Sequence, residues 1–213
     1  MLNGGKDRET YLALAQIYEK GKNFAEMGKA LDAAEKLSQT KREKEGIYFT
    51  RGAMYEKMKN YAAAEAEFRK VLESNPRNSG ALNYLGYMLA DRNMRLEEAR
   101  DLIRKALDIE PENGAYLDSL GWVNYRLNKL DEAEVNLRQS IERIHGDPTV
   151  YDHLGDVYLK QGKVKDAIAQ WQLSIREWEK TPPSELDQEE VAKVTRKLEG
   201  ARVRLARESG AQR

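Results

Sequence analysis

The sequence predicts an all-α protein: a right-handed solenoid of five helix-turn-helix units closed by a C-terminal capping helix. Three observations predict it. A small residue recurs at Ala15, Gly52, Gly86, Gly121 and Gly155, spaced 37, 34, 35 and 34 by subtraction, and so regular a period marks a repeat architecture. Each small residue lies on an apolar face with helical spacing, and a second apolar anchor follows 16 or 17 residues later by subtraction. The end of the chain breaks this pattern with adjacent prolines and a long amphipathic segment.

The elements follow in order. Tyr11, Leu14 and Tyr18, then Tyr48 and Tyr55, Leu82, Leu85 and Leu89, Leu117 and Leu120, and Tyr151, Leu154 and Tyr158 fall at i, i+3 and i+7 positions of first helices. Met27, Ala64, Ala99, Ala133 and Ala167, each followed four residues on by Leu31, Phe68, Ile103, Leu137 or Trp171, mark second helices. Pro76 and Pro111 stand where one pair stops, since proline cannot continue a helix. In "RIHGDPTVYDHLGD", His145 suits a helix C-terminus, Gly146 a left-handed C′ position, Asp147 an N-cap and Pro148 a first turn. After "EKTPPSEL", Pro182 and Pro183 break the chain and Ser184 is placed to N-cap a final helix of about 25 residues. Val191, Val194, Leu198, Ala201 and Leu205 form its narrow apolar stripe, with acids early and Arg202, Arg204 and Arg207 late to complement the helix dipole. Too short for a convincing coiled-coil seam, the stripe reads as a cap over the last unit, with Trp171 and Trp178 as core or cap contacts. The predicted organisation is a tail over 1–7, units over 8–44, 45–78, 79–113, 114–147 and 148–180, a cap over 181–208 and a tail over 209–213.

Composition excludes several classes. Lysine plus arginine and aspartate plus glutamate each number 36, so the chain lacks the basicity of a nucleic-acid binder. Without cysteine there is no disulfide framework, no thiol catalysis and no cysteine-held zinc, and both cytoplasmic and periplasmic compartments stay open. The opening "MLNGGKDRETYLALAQ" lacks the layout of a secretory signal, and no apolar run approaches transmembrane length, so the chain is expected to be soluble without inserting in a membrane. A first unit beginning directly after "MLNGGKD" suggests a fragment of a longer, exported repeat protein.

The recurring "LNYLGYMLADRNMRLEEA", "GAYLDSLGWVNYRL" and "VYDHLGDVYLKQGK" resemble the tetratricopeptide repeat over roughly residues 8 to 180. They look like bacterial repeat proteins that act as adaptors and scaffolds, including the lipoprotein adaptor of a carboxyl-terminal processing protease. Three departures stand out: Arg51 replaces a leucine and is expected to pack its stem and lift its charge into water, Asn124 replaces a tyrosine, and the first spacing is three residues long. The resemblance implies that first helices line a concave groove for a protein or peptide. It places Asn83, Tyr84, Tyr87, Asp118, Ser119, Trp122, Tyr125, Arg126, Asp152, His153 and Asp156 on that wall. The carboxylate clamp of some members is absent: its last possible frame reads Asn83, Tyr87, Ser119, Thr149 and His153.

Exposed tyrosine and tryptophan are typical interface anchors, and three aspartates facing only Arg126 predict a negative wall, hence a partner segment with lysine or arginine and a large apolar anchor. No cofactor and no metal is expected, and a monomer is favoured over a homodimer. Two rivals remain: an oligomerisation module using the terminal helix, and a metal-dependent enzyme using Asp118, Asp152, His153 and Asp156. Against the second, those four residues are better read as hydrogen-bonding between neighbouring helices.

Overall fold

Eleven α-helices and no strand make up the regular structure of the described residues, 7–182 and 186–210, of this computed structural model. They form two compact units, Met1–Met88 and Leu89–Arg213. The first contains α1 (Arg8–Lys20), α2 (Phe24–Leu37), α3 (Lys41–Lys57), α4 (Tyr61–Ser74) and most of α5 (Ser79–Asp91). The second takes the end of α5, then α6 (Leu96–Ile109), α7 (Gly114–Arg126), α8 (Leu130–Arg143), α9 (Pro148–Lys160), α10 (Val164–Trp178) and α11 (Gln188–Gly210). No helix among the described residues is long and apolar enough to cross a membrane.

Capping chemistry sets where helices start. Asp7 accepts from the Thr10 N–H at 2.7 Å, Thr40 and Glu43 form a reciprocal capping box, and Asn113 accepts from Ala115 and Tyr116. At the α8–α9 junction Gly146 has φ +79° and Asp147 caps α9, which Pro148 opens. There α8 ends at Arg143, so His145 lies beyond the helix, not on its last turn. The N-cap expected at Ser184 falls outside the described residues. α11 begins at Gln188, where Asp187 accepts from the N–H groups of Glu189 and Glu190 at 3.0 and 3.1 Å.

The turn inside each pair repeats as strictly as the small residue. Lys22, Lys59, Asn93, Asn128 and Gly162 all have left-handed φ, between +54° and +79°, and each lies seven residues after its unit's Ala or Gly by subtraction. Their spacings are again 37, 34, 35 and 34. A left-handed residue ends the first helix and turns the chain, and Asn23 and Asn60 directly after it cap α2 and α4.

The long first spacing has a simple origin. α1, α5, α7 and α9 each begin seven residues before their small residue, but α3 begins eleven before Gly52, at Lys41. One extra helical turn of four residues, less one residue from the preceding loop, accounts for the three. The boundary drawn at 44/45 therefore falls inside α3.

Packing explains the small residues. A Cβ on Gly52 would lie 2.8 Å from the Phe68 ring, and one on Gly155 2.5 Å from Trp171, both fully buried. Paired helices approach this closely only because the glycine has no Cβ and leaves its space to a large second-helix side chain. In the second unit α11 packs on α10 and sends Val194, Leu198 and Ala201 into the core with Leu154, Val157 and Trp171. Burying Val194 and Leu198 stabilises that docking by about 1.5–3 kcal/mol each.

Arg51 corrects an expectation. Its side chain is only 7% exposed, and its guanidinium meets Glu35 at 2.7 Å, Asp32 at 2.9 Å and Glu67 at 3.4 Å. The charge stays inside because three carboxylates from α2 and α4 take the place of water. Asn124 is buried as well, its amide donating to Asn136 at 3.0 Å.

Candidate functional site

The residues expected on the first-helix wall fall in both units. In the first unit, Tyr84 on α5 is 44% exposed. Its ring stands edge-on to Phe49 of α3, centroids 5.2 Å apart, and tilted against Phe68 of α4 at 5.6 Å. Gly80 leaves room for this arrangement, since a Cβ there would sit 3.2 Å from Phe49. Asn83 is buried, and its side-chain oxygen has no hydrogen-bond partner among the described residues. Tyr87 is half-buried. Phe49 supports the exposed ring and was not singled out in the sequence, because its position, three residues before the small residue, holds leucine, asparagine or aspartate in the other units.

In the second unit, Trp122 of α7 is the centre. It is 8% exposed and stacks on Tyr125 at 5.0 Å and on His153 of α9 at 4.2 Å, with interplanar angles of 18° and 17°. The rings bring neighbouring first helices together, so Trp122 and His153 fill space between them instead of standing open. Ser119 is buried and donates to the Ala115 carbonyl at 3.0 Å. Arg126 places its guanidinium carbon 5.6 Å from the Trp122 ring, and Lys160 its ammonium 4.7 Å from the Tyr125 ring.

The aspartates are not an open acidic wall. Asp118 pairs with His153 Nδ1 at 2.9 Å, and both are buried. Asp152 and Asp156, one turn apart on α9, both hold Lys197 of α11: its Nζ lies 2.9 and 2.8 Å from the two Asp152 oxygens and 2.7 Å from Asp156 Oδ2. The negative field expected from these three acids is partly offset within the fold, by one ammonium shared between Asp152 and Asp156 and by the His153 imidazole on Asp118. Burial pushes against the charge on His153, but Asp118, with Asp152 and Asp156 beyond it, holds the imidazole above its usual range. Burial also lifts the Asp156 carboxyl, with Asp152 adding repulsion and Lys197 opposing. The Lys197 ammonium is raised, its desolvation outweighed by the two acids.

Lys197 was missed because it lies off the repeat period, 41 and 45 residues beyond its partners by subtraction. Only the flank of the α11 stripe, between Val194 and Leu198, hints that it turns toward α9. No group of His, Asp and Glu among the described residues is placed to hold a metal ion.

The geometry defines a class, a helical-repeat protein built of helix-turn-helix pairs. The Tetratricopeptide repeat family model matches residues 55–114. A TPR repeat-containing protein of Pseudomonas aeruginosa is 46% identical over 110 residues, 52% of this chain. The chain spans only 18% of that relative's length. The crystal structure of PilW, a type IV pilus biogenesis factor, superposes with a TM-score of 0.73 at 20% identity, covering 93% of this chain and 91% of that one. A thermophilic TPR protein of Thermus thermophilus gives 0.70 at 20% identity, covering 92% and 99%. At that identity the two structures show the fold alone. Proteins of the tetratricopeptide-repeat class mediate protein–protein interaction.

Proposed function

We propose that this chain is a scaffold or adaptor that holds a segment of a partner protein on the face of its first helices, with Tyr84 as an anchor. The observation that carries the reading is the 44% exposure of Tyr84 above a buried aromatic base of Phe49 and Phe68. A rigid, half-exposed tyrosine of this kind is a typical interface hot spot. The neighbouring Asn83 oxygen, buried and without a partner, supplies an acceptor for a backbone N–H of the incoming segment.

Of the rivals, the oligomerisation module loses its seam, since Val194, Leu198 and Ala201 are buried against the second unit's own core. The metal enzyme loses its ligands, since Asp118, Asp152 and Asp156 are already paired.

The test places a photo-crosslinking residue at position 84 and, as control, at Val135, an exposed position on α8. A partner segment captured at 84 and not at 135 is then synthesised and titrated by calorimetry. Tyr84→Ala is expected to weaken it by about 1–3 kcal/mol with the helical fold retained. Equal capture at both positions, or unchanged affinity, removes the first-helix face as the binding surface.

A further inference from the structure

The donors and acceptors of the second unit's first-helix face are unequally committed. Each acid of the wall is paired: Asp118 with His153, Asp152 and Asp156 with Lys197. The cations at the surface are not. Neither Arg126 nor Lys160 has a carboxylate partner among the described residues. Arg126 makes one long hydrogen bond, to Asn93 at 3.4 Å, and Lys160 one to the Tyr125 carbonyl at 3.5 Å. A third donor stands with them. The indole N–H of Trp122 is buried and has no acceptor among the described residues, although its ring is fixed by stacking on Tyr125 and His153. An orphaned buried donor is rare and costs free energy until something accepts from it.

We propose that this face reads a carboxylate: the segment held here carries a glutamate or aspartate beside an aliphatic residue, its oxygens taken by Arg126, Lys160 and the Trp122 indole N–H. The proposal rests on the first-helix face being the binding surface and adds the chemistry of its ligand. Both cations sit against aromatic rings, Arg126 on Trp122 and Lys160 on Tyr125, so an arriving carboxylate finds them positioned. The aliphatic neighbour packs on the half-buried Tyr125 ring. The ligand charge is thus opposite to the one suggested by the aspartates in the sequence, because the fold has already spent those acids on His153 and Lys197.

The test follows the indole 15N–H signals of the full chain by NMR, the Trp122 signal being assigned by its loss in Trp122→Phe, which keeps a stacking ring. Three blocked peptides are titrated to millimolar concentration: acetyl-Leu-Glu-Glu-Leu-amide and its glutamine and lysine counterparts. The glutamate peptide is expected to shift the Trp122 signal and to bind at least five-fold more tightly than the glutamine peptide. Arg126→Gln and Lys160→Gln should each reduce that preference several-fold. Equal shifts with all three peptides, or a preference for the lysine peptide, overturn the proposal. If the Trp122 signal is silent while a fluorine-labelled tyrosine at position 84 responds, the carboxylate site falls and the scaffold reading stands. If both are silent towards the segment captured at position 84, both fall.

Discussion

Single side chains decide how closely the helices approach and which charges stay inside. Gly155 lies under Trp171 with no room for a methyl group, so Gly155→Ala forces the indole or the helix to move. It should cost about 1–3 kcal/mol in urea unfolding. Arg51 is the mirror case, a large charged group where a leucine was expected. Replacing it with leucine leaves Glu67, 8% exposed, with Lys70 at 2.6 Å but without the guanidinium. Arg51→Leu should therefore destabilise by about 3 kcal/mol, and adding Glu67→Leu should recover much of the loss, because a buried acid no longer lacks its partner. A single variant as stable as the wild type would show that the cluster contributes nothing net.

The helix pair is the unit in which the sequence was most legible, and its turn makes the sharpest prediction. Small residue, apolar face and second-helix anchor are all local signals, so the period and the pairing could be read directly. The left-handed turn residue could not, because Lys22 and Lys59 carry no chemistry that announces φ above zero, and Asn93 and Asn128 favour such backbone without marking it. What they share is phase, the constant seven-residue offset from the small residue. Glycine suits such backbone, and only Gly162 uses it among the five. Lys59→Gly is accordingly expected to stabilise the chain by about 0.5–1 kcal/mol, and Gly162→Lys to cost a similar amount, both read from chemical denaturation. The extra turn of α3 was visible only as a spacing too long by three. Nothing in the sequence said whether a loop or a helix absorbed it until the capping box of Thr40 and Glu43 was located.

Across the whole molecule, what the sequence concealed is contact between elements that do not follow the repeat. The tie of Lys197 to Asp152 and Asp156, and the capture of Arg51 by acids of two helices, depend on rotations of helices that no periodicity encodes. The aromatic members of the wall were legible as residues. Their burial was not, so Trp122 and Tyr84 looked alike in the sequence and differ in the structure, 8% against 44% exposed. The same off-period contacts make stability depend on pH. His153 has a folded pKa raised above its ordinary 6.5, so protonation is favoured by folding. The stability this adds is complete below the unfolded value and is lost as pH rises through the folded one. Melting temperatures from pH 5.5 upward should fall for the wild type relative to His153→Gln, and parallel profiles would remove the imidazole from that role.

The longer α3 has one more consequence. A chain of near-identical units presents near-identical addresses, and a partner recognising one could settle a unit along with little loss. Four added residues lengthen α3 by about 6 Å beyond the thirteen-residue helices α1 and α5. The longer helix sets α3 apart from the other first helices, giving the repeat series a landmark from which position can be counted.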